Sequence, residues 1–173
     1  MKELIFATHN LNKVREIQDL TANKFRILGL NDIGYHEEIP ENKTDIEGNA
    51  EQKAIAIYNL FHTDCFADDT GLEVESLNVQ PGVLSARFSE CTGDRRPGED
   101  ISEANIRKLL KLMRDKEDRN ARFRTVIALI LDGSKYFFEG TVSGQILEEK
   151  RGTNGFGYDP IFIPEGFNRT FAE

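Results

Sequence analysis

Apolar positions recur along this chain in two periods, one suited to strands and one to helices. "ELIFA" at 3–7 predicts a buried strand, and Leu11, Val14, Ile17 and Leu20 repeat at helical spacing through "LNKVREIQDL". Between them lies the polar loop "THN", so the helix begins with free backbone N–H groups and a partial positive charge that suit a phosphate. "FRILGL" predicts a second strand. After the acidic connection "HEEIPENKTDIEGN", a second helix places Ala50, Ala54, Ile57 and Phe61 on one face, with Glu47 near its start and Lys53 on a flank. "CFAD" predicts a short strand entering an acidic turn. "GLEVESL" then alternates as a half-buried strand, with Leu72 and Val74 inward and Glu73 and Glu75 towards water.

Further on, "PGVLSARFSECTGDRRPGED" is rich in turn residues and predicts a long mobile loop. "SEANIRKLLKLM" predicts a third helix capped by Ser102, with Ile106, Leu109, Leu110 and Met113 as its apolar face. "ARFRTVIALIL" is apolar on both sides and predicts a central strand, which "DGSK" turns into "YFFEGTVSGQIL" as a long hairpin. The closing segment mixes glycines with aromatics and predicts a shaped loop followed by a short strand. No internal repeat or low-complexity tract is present.

Composition narrows the class. The 173 residues fit a single domain with a substantial core, and 39% hydrophobic with 30% charged residues describe an ordinary globular chain. No stretch reaches the apolar length of a membrane span, and "MKELIFATHN" turns polar too soon for a secretory signal, so a cytoplasmic protein is expected. Cys65 and Cys91 match neither a redox pair nor a zinc site and read as reduced thiols. A net charge of -8 argues against a broad nucleic-acid surface, while a small anion held by local cations or a divalent metal remains compatible.

Three places carry candidate chemistry. Lys13, in the first turns of the helix after "THN", is either a solvated surface lysine or an ammonium that reaches a bound phosphate. Asp68 and Asp69 form either a wet "DDTG" turn or a magnesium and water site, for which Glu47 is a candidate third acid. Phe156, between two glycines in "GFGYD", is either a core aromatic or a platform for a flat ligand whose edge Asp159 or nearby backbone reads. His9, His36 and His62 share no metal-binding pattern.

Taken in order, "ATHNLNKVREI", "FADDTGLEVESL", "PGVLSARF" and "GFGYDPIF...TFAE" resemble the Ham1/inosine triphosphate pyrophosphatase family from the first strand to the last residue. The resemblance implies one α/β domain over 1–173: an elongated mixed β-sheet with flanking helices, in two lobes around a central cleft, usually as a homodimer. It implies magnesium-dependent hydrolysis of non-standard purine nucleoside triphosphates (inosine, deoxyinosine, xanthosine) to monophosphate and pyrophosphate, which keeps them out of DNA and RNA. It assigns the triphosphate grip to Thr8, His9, Asn10 and Lys13, with Lys53 as a further phosphate contact. Asp69 becomes proton acceptor and metal ligand beside Asp68 and Glu47, Thr70 a substrate contact, and Phe156, Gly157, Tyr158 and Asp159 surround the base. This chain departs from the pattern twice. Where many relatives read "ENA" it has "EGNA", which puts Glu47 one position early, and it stops at Glu173, where relatives continue through a base-recognition tail. A nucleotide-binding protein with weak or no turnover is the competing expectation.

Overall fold

Among residues 1–21 and 24–173, which the computed structural model describes, the apolar pattern resolves into three α-helices and seven strands. In chain order they are β1 (Lys2–Phe6), α1 (Leu11–Leu20), β2 (Phe25–Gly29), α2 (Ile46–Phe61), β3 (Cys65–Val74), β4 (Gln80–Gly82), α3 (Ile101–Leu112), β5 (Asn120–Leu131), β6 (Ser134–Ile146) and β7 (Phe162–Pro164). The strands form one sheet in the order β2, β1, β3, β5, β6, β7, with β4 on β3. β1 runs parallel to both β2 and β3, whereas β4 and β7 pair antiparallel with β3 and β6, so the sheet is mixed and the fold is α/β. Asp132 and Gly133 both adopt positive φ, 50° and 75°, the backbone that closes a tight hairpin between β5 and β6. No helix among the described residues is long and apolar enough to cross a membrane.

The chain divides into two compact units, Met1–Asp69 with Val126–Glu139, and Thr70–Thr125 with Gly140–Glu173. In the first, Leu4, Phe6, Ile27 and Phe66 form a core on which Val14 and Ile17 of α1 pack. The expected α1 stripe is narrower than its spacing: Leu11 and Leu20, at the two ends of the helix, are exposed and only its middle turns reach the core. α2 buries Ala50, Ala54 and Ile57, and the Cys65 thiol donates to the Ala54 carbonyl at 3.3 Å. Burial there pushes the Cys65 thiol up to about 12, the condition of an inert packing residue.

The second unit is built on Leu72, Val74, Phe88, Ile106, Leu109, Met113, Ile146, Ile161 and Phe162. Its helix, α3, is capped by Asp100, not Ser102: the Asp100 carboxylate accepts from the Ser102 and Glu103 N–H groups at 2.9 and 3.2 Å, and its charge favours the positive end of the helix. The segment expected as a long mobile loop contains β4 and two 3-10 turns, Ser85–Arg87 and Glu90–Thr92, and α3 grips it. Asn105 accepts from Ser89 N–H at 2.7 Å and donates to the Ser85 and Ala86 carbonyls, while Lys108 donates to the Phe88 carbonyl and Thr92 Oγ1, both at 2.7 Å. Buried polar side chains bonded to loop backbone do the work that turn composition alone does not reveal.

Candidate active site

The acidic stretch at 68–71 is strand, not turn. β3 runs unbroken through Asp68, Asp69, Thr70 and Gly71, so successive side chains point to opposite sides of the sheet. Cys65 and Asp69 face α2, whereas Phe66 and Asp68 face α1. Adjacent carboxylates are tolerated without a wet turn because each has its own lysine on its own side. Lys13 Nζ lies 2.6 Å from Asp68 Oδ2, and Lys53 Nζ lies 3.7 Å from Asp69 Oδ1. Glu73, expected on the wet face, is largely covered and accepts from Arg122 Nε at 2.7 Å; Glu75 is exposed, as expected.

Around Asp69 the helix supplies two residues one turn apart. Asn49 and Lys53 share a face of α2, and Asn49 Nδ2 donates to Asp69 Oδ2 at 3.3 Å while its Oδ1 holds the Lys43 N–H at 2.9 Å. Lys53 Nζ also contacts Glu41 Oε1 at 2.5 Å, so one ammonium sits between the carboxylates of Glu41 and Asp69. Burial pushes the Asp69 carboxyl above the usual aspartate range; Lys53 pulls it down, Glu41 raises it, Asn49 lowers it and Asp68 raises it. Glu47 is elsewhere. At 100° per residue it lies about 200° round the helix from Asn49, and it is exposed in the first turn of α2. The next residue explains how Glu41 takes part: a Cβ at Gly48 would approach the Lys43 side chain to 3.0 Å, so glycine lets the 41–45 segment fold closely over the helix start.

Among the described residues no three of His, Cys, Asp and Glu are gathered as ready metal ligands. Magnesium does not require three, since it is held by one or two carboxylates together with substrate phosphates and water. Glu41 and Asp69 offer hard oxygens that already converge on a cationic group, the Lys53 ammonium, and this donor set fits the ion. Glu41 and Asn49 had no sequence signal beyond an acid and an amide near Lys53.

The "THN" loop is arranged differently from its expectation. Asn10 is the N-cap of α1, and its Oδ1 already accepts the Asn12 and Lys13 N–H groups at 3.0 and 3.3 Å, which the expectation left free for a phosphate. Thr8 Oγ1 accepts from Asn10 N–H at 3.2 Å, and the His9 ring lies between Asn31 Oδ1 (3.3 Å) and the Glu37 carbonyl (3.0 Å). Lys13 is therefore the cationic side chain at this helix start, held by Asp68. In the second unit Thr70 Oγ1 meets Thr125 Oγ1 at 2.9 Å across neighbouring strands.

The "GFGYD" loop, also in the second unit, separates its residues by direction. The Phe156 ring is 72% exposed, and Tyr158 is only 4% exposed with its hydroxyl donating to the Ser85 carbonyl at 2.9 Å. The Asp159 carboxylate turns back on its own loop and accepts from Phe156 N–H at 2.9 Å; burial pushes its carboxyl up while that bond draws it down. Gly155 and Gly157 have φ of 73° and 58°, and a Cβ on Gly155 would strike Asp159 Oδ2 at 2.2 Å. The segment at Ala172 holds the start of the loop: its carbonyl accepts from both Thr153 and Asn154 N–H at 3.1 Å. Of the four residues expected around the base, Phe156 is presented, while Tyr158 and Asp159 make internal bonds.

Known proteins resemble this chain in sequence and in fold. The chain is 53% identical to the dITP/XTP pyrophosphatase of Christiangramia forsetii and 49% identical to that of Flavobacterium johnsoniae, over 99% of its own length and 86% and 85% of theirs. Among solved structures, a HAM1 protein from Coxiella burnetii superimposes with a TM-score of 0.88 at 31% identity, covering 99% of this chain and 86% of that one. The Staphylococcus aureus Ham1 protein gives a TM-score of 0.85 at 35% identity, covering 99% and 85%. With residues 4–173 matched to the family pattern, the chain belongs to the Ham1 family.

Proposed function

We propose that this protein is a nucleoside triphosphate pyrophosphatase that cleaves inosine, deoxyinosine and xanthosine triphosphates to the monophosphate and pyrophosphate. The observation that carries the reading is the Glu41–Lys53–Asp69 cluster, where two carboxylates converge on one cation and one of them has a raised proton affinity. The relatives' names, dITP/XTP pyrophosphatase, are those of enzymes and favour turnover over binding alone.

Lys13 and Lys53 offset the charge of the triphosphate. Asp69 accepts a proton from the water that attacks the α-phosphorus, and pyrophosphate leaves. Its raised affinity for a proton suits it to that task, and Asn49 fixes the carboxylate's orientation. Asp69 and Glu41 would hold magnesium, with Asp68 acting through its pair with Lys13; when bound, the ion supplies neutralisation of the phosphate oxygens. The Phe156 ring offers its face to the purine.

The same reading makes the protein a cytoplasmic homodimer, and exposed Tyr136, Phe137 and Phe138 on β6 are apolar surface that a second copy can cover. Bond position is the direct test. Hydrolysis of inosine triphosphate with magnesium in 18O-labelled water, followed by phosphorus NMR, is expected to give labelled monophosphate and unlabelled pyrophosphate. Diphosphate with inorganic phosphate would overturn the reaction class.

A further inference from the structure

Phe156 has little of its own to hold it in place. Its ring is 72% exposed, its ties within the loop go to Asp159 alone among the described residues (Phe156 N–H to the Asp159 carboxylate at 2.9 Å and Asp159 N–H to the Phe156 carbonyl at 3.2 Å), and Gly157 after it has φ of 58° with open space where a Cβ would be. An aromatic presented on such a link binds a base well only if its freedom is removed beforehand, because ordering it on binding lowers affinity.

The next side chain supplies the constraint. Tyr158 sits in the core of the second unit with Leu72, Phe88 and Ile161, and its hydroxyl reaches the Ser85 carbonyl at 2.9 Å. That carbonyl is itself fixed: Asn105 Nδ2 of α3 donates to it at 3.2 Å, while Ser85 Oγ accepts from Leu72 N–H at 2.8 Å and donates to the Gly82 carbonyl at 2.6 Å. The "SARF" turn, which the proposed chemistry leaves without a role, is thus an anchor point held by α3 and β3.

We propose that Tyr158 is a positioning residue for base recognition: without touching the base, it sets the Phe156 ring by tying loop 155–159 to the Ser85 carbonyl that Asn105 holds from α3. The inference rests on Phe156 being the base platform and goes beyond it by naming what sets the platform's geometry. Tyr158→Phe is a clean probe, because the ring still fills its slot and the Ser85 carbonyl keeps Asn105 as a donor.

The experiment compares calorimetric binding of an α,β-methylene inosine triphosphate with binding of base-free inorganic tripolyphosphate, and adds steady-state kinetics on inosine triphosphate. Tyr158→Phe is expected to weaken the nucleotide about fivefold, the factor matching a buried hydrogen bond of about 1 kcal/mol, and to leave tripolyphosphate unchanged. KM should rise with it while kcat stays within about twofold. In a Phe156→Ala background the same change should have no further effect, because Tyr158 then has no platform to position. Equal weakening of nucleotide and tripolyphosphate, or an effect that simply adds to Phe156→Ala, would overturn the brace. Wild-type protein that binds the nucleotide no better than tripolyphosphate would instead overturn the platform itself.

Discussion

The charged cluster of the first unit and the aromatic loop of the second are held together by different forces. Around Asp69 the contacts are ionic: two carboxylates share Lys53, and a third is paired with Lys13. Around Phe156 they are hydrogen bonds, from the Tyr158 hydroxyl to the Ser85 carbonyl, from Phe156 N–H to the Asp159 carboxylate, and from Thr153 and Asn154 N–H to the Ala172 carbonyl. The first arrangement responds to pH, salt and cations, and the second to shape. The difference teaches that turnover and base preference can be broken separately.

The largest expected effect is on turnover. Asp69→Asn should cut kcat by about 10²–10⁴, the usual contribution of a positioned base, without lowering the melting temperature, since a desolvated charge is removed. Steady-state rates and a thermal melt check both halves, and a fully active variant would remove Asp69 from its role. Next, Phe156→Ala should raise KM about tenfold with kcat nearly unchanged and with the same loss at low and high salt. By contrast, the loss of binding in Lys13→Met should shrink as salt screens the phosphate contact; a salt-independent loss would place Lys13 outside the electrostatic half.

The pH profile sharpens the comparison further. In the metal-free protein the Asp69 carboxyl is raised by burial, so its carbon-13 NMR titration without magnesium should lie above the ordinary aspartate value of 3.8. Lys53 lowers the Asp69 carboxyl, so Lys53→Met should move that metal-free titration to higher pH; a shift downward would contradict the assignment. The smallest effect concerns stability in the second unit. Arg107 and the Arg96 N–H hold the Glu99 carboxyl down to about 2, so its contribution is present above its ordinary 4.5 and is lost as pH falls towards 2. Urea midpoints over that window should fall more steeply for the wild type than for Arg107→Gln, and equal slopes would dismiss the pair.

Much of the scaffold was legible from periodicity: β1, α1, α2, α3 and the β5–β6 hairpin stand where apolar spacing put them. Local charge misled at Asp68 and Asp69, which read as a turn because the lysines that neutralise them are remote in sequence; Lys13 is 55 residues from Asp68. Glu41 was hidden in an irregular acidic connection without a period, and Asn49 behind an apolar pattern that ignores a buried amide. In "GFGYD" the glycines marked the loop, but the inward turn of Tyr158 and Asp159 depends on Ser85 and on the loop's own backbone, which spacing does not encode.

The central claim is that this chain is a pyrophosphatase selective for non-standard purines, with turnover at the ionic cluster of the first unit. Pyrophosphate release with magnesium, measured as kcat/KM for inosine, xanthosine, adenosine and guanosine triphosphates on the same sample, tests it most directly. The account predicts rates for the first two well above those for the last two. Equal rates for all four, or no release from any, would contradict it.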